Sequence, residues 1–107
     1  MSSTTADGRT VQLRRYRLVK DELEPFVAWW RERLVPARLA HGFQIDFAYV
    51  IPENDEFIWA VSVEGDVEDF RRIDEAYAGS PERAAAFEGV PQRVDTATIA
   101  LATPVTP

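Results

Sequence analysis

The sequence predicts an α+β domain of order β-α-β-β-α-β, and three observations carry that prediction. Four stretches are rich in apolar or β-branched residues with a period near two. Two charged, capped segments carry apolar residues at helical spacing. A short turn, PENDE, separates the middle two strands and should fold them into a hairpin. At 107 residues the chain has the length of one domain, placed at residues 9–104. Residues 1–8 and 105–107 read as tails.

The first strand is expected over residues 10–19, TVQLRRYRLV. Val11, Leu13, Arg15, Arg17 and Val19 share one phase; Gln12, Arg14, Tyr16 and Leu18 share the other. Neither phase is cleanly polar, so both faces should be at least partly covered.

The long first helix begins with Asp21 as the expected N-cap. Glu22 and Glu24 then complement the helix dipole, and Pro25 is tolerated because first-turn N–H groups lack intrahelical partners. Leu23, Phe26, Val27, Trp30, Leu34 and Ala37 form one apolar stripe, with Trp29 and Arg33 at its edge. Pro36 cannot donate a hydrogen bond and crowds the carbonyl of Glu32, which predicts a kink or short break near residues 32–36. Gly42 supplies a left-handed stop.

Residues 43–51 alternate, with Phe43, Ile45, Phe47, Tyr49 and Ile51 expected on one face and Gln44, Asp46, Ala48 and Val50 on the other. The next strand, 56–64, puts Phe57, Trp59, Val61 and Val63 together. Asp66 caps the second helix, in which Val67, Phe70 and Tyr77 recur at helical spacing. Ser80-Pro81 restarts a short helix, and residues 92–103 close the order as a β-branched strand.

This order is the ferredoxin-like split βαβ, a four-stranded antiparallel sheet with both helices on one face. The helices leave the other face bare although it carries apolar residues. A second copy is the simplest cover, as a two-fold homodimer through the open sheet face.

Composition excludes several classes of function. The formal charge is −6, and its distribution is uneven: the first 38 residues hold eight Lys/Arg against five Asp/Glu, the rest four against 13. Such a balance is poor for phosphate neutralisation, so no nucleic-acid partner is expected. The absence of cysteine excludes disulfides, thiolate metal sites and cysteine nucleophiles. No apolar run approaches the roughly 20 residues needed to span a bilayer, and the first residues lack a secretory apolar core. A soluble cytoplasmic protein is expected. The phosphate-cradling and nucleophile-elbow glycine motifs are missing, the lone histidine excludes a multi-histidine metal site, and no cofactor or metal is expected.

The segments LRRYRL (13–18), FVAWWRERLVPARLAHGF (26–43), NDEFIWAVSVEGDVEDF (54–70) and DEAYAGSPERAA (74–85) together resemble the NIPSNAP family of the dimeric α+β barrel superfamily. The resemblance covers roughly residues 10–90 in order and rests on the combination, not on any single motif. It implies a homodimer with face-to-face sheets and a cleft in each subunit between sheet and helices. NIPSNAP-type proteins mostly lack an established activity, so it implies a binder of a small molecule, with aromatic compounds among the candidates. The superfamily also includes cofactor-free antibiotic-biosynthesis monooxygenases, polyketide cyclases and haem-degrading enzymes. An enzyme of the first two kinds, acting on a polycyclic aromatic substrate, is the alternative. The haem-degrading constellation of Asn, Trp and proximal His does not map onto this sequence.

The candidate residues follow from their chemistry. Arg14 and Tyr16 share a strand face and could hydrogen-bond an anionic or phenolic ligand; equally, they could be surface charge and interface aromatic. Trp30 and Trp59 are either core or the wall of an aromatic pocket. His41 is a general acid/base or ligand contact at the cleft mouth, or simply a helix-end residue favoured by the dipole. Asp46 is a catalytic base or substrate anchor if buried, or else a structural ion pair or an exposed strand residue.

Overall fold

The computed structural model describes residues 8–107. Strand β1 (Arg9–Leu18) leads into α1 (Leu23–Trp29), a π turn (Trp30–Leu34) and α2 (Val35–Leu39). Then come β2 (Gln44–Ile51), a 3₁₀ turn (Pro52–Asn54), β3 (Glu56–Glu64), α3 (Val67–Ala78), α4 (Pro81–Phe87) and β4 (Val94–Ala102). The four strands form one antiparallel sheet in the order β2-β3-β1-β4, the ferredoxin-like arrangement.

The local signals act as their chemistry requires at most element ends. Asp66 and Asp69 form a reciprocal capping box at the start of α3. Ser80 Oγ accepts the Arg83 N–H at 3.1 Å to start α4. Gly42 takes φ +89° after α2, where Phe43 N–H returns to the Arg38 carbonyl at 3.3 Å.

Three expectations are corrected. Asp21 is not the N-cap. It is held at φ +70° in a tight turn closed by Glu22 N–H donating to Val19 C=O at 3.0 Å, and Glu22 stands at the cap instead. Asp tolerates that left-handed backbone, which is incompatible with the extended conformation of a capping residue.

The irregularity expected near residues 32–36 is a widening of a continuous first helix, not a break. One turn before Pro36 the helix widens, and Val35 N–H donates to the Trp30 carbonyl five residues back. The wide turn accommodates a proline that can neither donate nor sit under the carbonyl of a tight turn. It also takes up one extra residue and so rotates everything after it by about 100°.

Strand β2 does not keep one phase. Ile45 lies opposite Val61 and Phe47 opposite Ala60, so Asp46 is the extra residue of a β-bulge. Asp46 Oδ1 accepts from Ser62 Oγ at 3.1 Å and from Gln44 Nε2 at 3.0 Å, which pins the bulge. Ile45, Ala48 and Val50 therefore join the helix-covered face, and Phe47, Tyr49 and Ile51 move to the open one.

The core lies on the covered face, where Phe57, Trp59, Val61 and Val63 of β3 pack with Phe26, Trp30, Leu34, Phe43, Phe70 and Tyr77. The open face carries an apolar row across all four strands, Phe47, Ala60, Leu13 and Ala100. Beside it Arg15 makes a two-pronged ion pair with Glu56, at 3.2 Å for each bond.

Three carboxyls lie below the usual carboxylate range: Glu56, because Arg15 hydrogen-bonds it, Asp69, because the Asp66 backbone N–H and then Arg72 do, and Glu82, because His41 does. Depressed folded-state values mean stability that is present above the ordinary carboxylate range and lost as pH falls through the depressed ones. The Glu56→Gln, Glu82→Gln variant is expected to lose stability less steeply than the parent between about pH 5 and pH 2. Urea midpoints across that range measure it, and parallel acid limbs would refute it.

Candidate functional site

A cleft of about 240 Å³ opens on the covered face, between strands β1 and β4 and the helices. Its walls follow from local structure. Arg14 and Tyr16 point to this side of β1 because they alternate with Leu13 and Arg15 on the open side. Ala97 and Ile99 continue the wall on β4, paired with Tyr16 and Arg14. Phe26 and Trp29 of α1 and Leu34 of the π turn close the opposite side. Helix α4 forms the rim with Arg83 and Phe87, the guanidinium 4.4 Å from the ring centroid. Trp29 Nε1 donates to the Ala86 carbonyl at 2.8 Å, which ties α4 to α1.

The deep end is built by a residue that the apolar stripe did not include. In a straight α-helix Arg38 would lie about 120° around from Phe26, outside the stripe. The π turn removes about 100° of that, and Arg38 follows Phe26, Trp30 and Leu34 onto the buried face. It is 95% buried (relative exposure 5%) and lines the cleft. Its guanidinium carbon lies 4.4 Å from the Tyr77 ring centroid, 4.6 Å from Phe43 and 5.6 Å from Trp59. Asp74 Oδ1 is 3.5 Å from Nη1 and balances charge, but the contact is too poor in geometry to be a hydrogen bond. Nε and Nη1 of Arg38 have no hydrogen-bond partner.

The neighbours of Arg38 share that condition. The Tyr77 hydroxyl and the indole N–H groups of Trp30 and Trp59 are also buried without partners. Unpaired buried polar atoms are costly, so each of these donors favours an acceptor placed beside it. Burial pushes the Arg38 guanidinium below its usual range, and Arg14 pushes it the same way. Guanidinium stays protonated in proteins, so an incompletely balanced positive charge sits at the deep end. Burial also raises Tyr77, which keeps its phenol protonated and able to donate.

Four arginines line the cleft, Arg14, Arg38, Arg83 and Arg93, and no Asp or Glu is among the described residues that line it. Arg93 is paired with Glu22 at 2.9 Å, and Arg14 Nε donates to the Tyr16 hydroxyl at 2.7 Å. A protein of net charge −6 thus presents a cationic, aromatic-walled cleft.

The residues singled out from sequence fall into four groups. Arg14 and Tyr16 line the cleft. Trp59 and Trp30 lie in the core beside it, their rings 5.5 Å apart, with Arg14 5.5 Å from the Trp59 ring centroid. His41 stands behind the wall. Its ring meets Tyr77 at 5.6 Å, and its Nε2 is 2.8 Å from Glu82. Asp46 is exposed at the bulge of β2 and shares in neither the cleft nor its neighbours. The sequence reading missed Arg38, Tyr77 and Arg83. A charged residue directly after an apolar helical stripe and a proline was the available signal for Arg38.

The fold has solved counterparts. A NIPSNAP family protein of unknown function from Agrobacterium tumefaciens superposes with a TM-score of 0.80 at 10% identity, covering 96% of this chain and 94% of that one. A NIPSNAP domain protein from Burkholderia xenovorans superposes with a TM-score of 0.78 at 11% identity, covering 90% and 94%. This is the fold of the NIPSNAP structures. A Bacteroides thetaiotaomicron protein named as a candidate antibiotic biosynthesis monooxygenase shares it with a TM-score of 0.69 at 21% identity, over 95% and 94% of the two chains. The sequence matches no family model and no curated protein. Among the described residues, no helix is long and apolar enough to cross a membrane. Nor do any three His, Asp or Glu residues among them cluster as metal ligands would.

Proposed function

We propose that this chain is a NIPSNAP-like homodimer that binds a small aromatic molecule in the cleft between sheet and helices. The observation that carries the reading is an aromatic-walled cleft whose deep end holds polar donors without partners. Such a combination, apolar walls with a few convergent polar groups, is what small-molecule sites present. At about 240 Å³ the space suits one or two fused rings, and a larger polycycle would protrude past α4.

A second copy covering the open sheet face accompanies this reading. The exposed Phe47 and Leu13, in one row with the buried Ala60 and with Ala100, support it, because an apolar sheet face of this kind needs a cover. Two-fold pairing lets each row meet its equivalent.

Trp29 lines the cleft, so titration with a flat aromatic compound is expected to change tryptophan emission saturably. Emission unchanged at every concentration would sink the binding reading. Native mass spectrometry of the same sample is expected to give a dimer.

The alternative reading is a cofactor-independent monooxygenase or a polyketide-cyclase-like enzyme on an aromatic substrate. The shared fold of the Bacteroides thetaiotaomicron protein favours it, and a cation beside a bound aromatic would stabilise a substrate anion. Oxygen uptake in the presence of a phenolic ligand separates oxygenation from binding alone.

A further inference from the structure

If the cleft binds an aromatic molecule, the remaining question is what that molecule must carry. Three features of the site answer it. The first is the imbalance of charge in the cleft, four arginines and no carboxylate among the described lining residues, in a protein that is acidic overall. The second is Arg38, 95% buried, with Nε and Nη1 lacking hydrogen-bond acceptors. The third is the Tyr77 hydroxyl, buried beside it and also unpaired. Every unsatisfied side-chain group at this end can donate, and the missing partner must therefore be an acceptor. An acceptor that also carries negative charge would complete the balance that Asp74, 3.5 Å away and 40% exposed at its side chain, supplies only in part.

We infer that the ligand is a planar aromatic oxyanion, a ring carboxylate or an ionised phenol, seated with its charged oxygen on the Arg38 guanidinium and the Tyr77 hydroxyl. The inference rests on the cleft being a binding site, as proposed above. The ring then lies against Tyr16 and the touching Trp29 and Phe87 rings, whose centroids are 5.0 Å apart, with the oxyanion inward. Arg38 and Tyr77 bind the ion; Trp59 supports them from beneath, its ring centroid 5.6 Å from the Arg38 guanidinium carbon. Because the site prefers the charged form, it must also lower the pKa of a bound phenol.

The test is calorimetric titration of the full chain at pH 7.5 with three probes of one ring size: 2-naphthoate, 2-naphthol and the neutral 2-naphthylmethanol. The naphthoate is expected to bind at least tenfold more tightly than the alcohol. In Arg38→Met that preference is expected to vanish, with the affinity for the alcohol retained. Tyr77→Phe, which keeps the ring, is expected to weaken naphthoate several-fold and leave the alcohol unchanged; it covers the case in which Arg38→Met fails to fold. For 2-naphthol, the long-wavelength absorbance of naphtholate should appear on binding, and its presence with weak naphthoate binding would assign the phenolate source over the carboxylate. Equal binding of all three probes overturns the oxyanion inference and leaves the binding site standing. Binding of none overturns both.

Discussion

Trp59→Ala is expected to destabilise the protein by about 3–5 kcal/mol, the usual cost of emptying a tryptophan-sized space in a packed core. Trp59 is wholly buried on a central strand, opposite Arg14 on one side and Ala48 on the other. Its ring meets Trp30 at 5.5 Å and Tyr16 at 6.4 Å, and the Arg14 and Arg38 guanidinium groups approach it at 5.5 and 5.6 Å. Removing it takes away core contact and cation–π support together. For a domain of this size the melting temperature should fall by about 15 °C or more. Urea denaturation followed by circular dichroism measures the effect. Trp59→Phe is the informative companion: it also removes an indole N–H that has no partner, so it should cost less than its loss of volume alone implies. A loss below about 1 kcal/mol in Trp59→Ala would mean that the neighbouring rings close the gap, and that Trp59 supports neither arginine.

The second large effect belongs to the open face. Leu13→Asp is expected to weaken the proposed dimer about a thousandfold while leaving the monomer folded. Leu13 lies at the middle of the apolar row, between Ala60 and Ala100. It is 38% exposed within one subunit, so the fold itself tolerates a polar residue there. In a two-fold interface the substitution appears twice. A carboxylate desolvated without a partner at an interface centre costs about 2 kcal/mol or more per copy, and 1.4 kcal/mol is a factor of ten. Sedimentation velocity across a concentration series reads the dissociation, and circular dichroism reads the fold. A variant that sediments as a dimer like its parent would place the contact elsewhere, with the uncovered outer edge of β4 the next surface to test.

Both effects show how far local sequence signals reach. Asp66 and Ser80 followed by Pro81 mark the starts of α3 and α4, and Gly42 marks the end of α2, because capping uses residues within a few positions of one another. The element order also follows from local periods, and the antiparallel sheet follows from the split βαβ pattern that this order specifies. Arg14 and Tyr16 could be placed on one face together for the same reason. Asp21 was misread because a turn closed by Val19 and Glu22 outweighed its capping preference.

What the sequence determined by itself is therefore the element order, most of the element ends and the ferredoxin-like class. What only the tertiary structure decided is which side chains share a face after two single-residue insertions. The π turn at Trp30–Leu34 brings Arg38 into the core, and the bulge at Asp46 sends Phe47, Tyr49 and Ile51 to the open side. Each insertion shifts the phase of everything beyond it, by about 100° in a helix and by a full reversal in a strand. The bulge leaves no local mark strong enough to read, and Pro36 marks an irregularity near residues 32–36 without giving its one-residue phase shift. The π turn accommodates Pro36 while Trp30 and Leu34 stay in the core, and the bulge is held because Ser62, on the neighbouring strand, bonds Asp46. The cationic end of the cleft is the product of the first shift, and so the residue with the most to say about the ligand is the one that periodicity left outside.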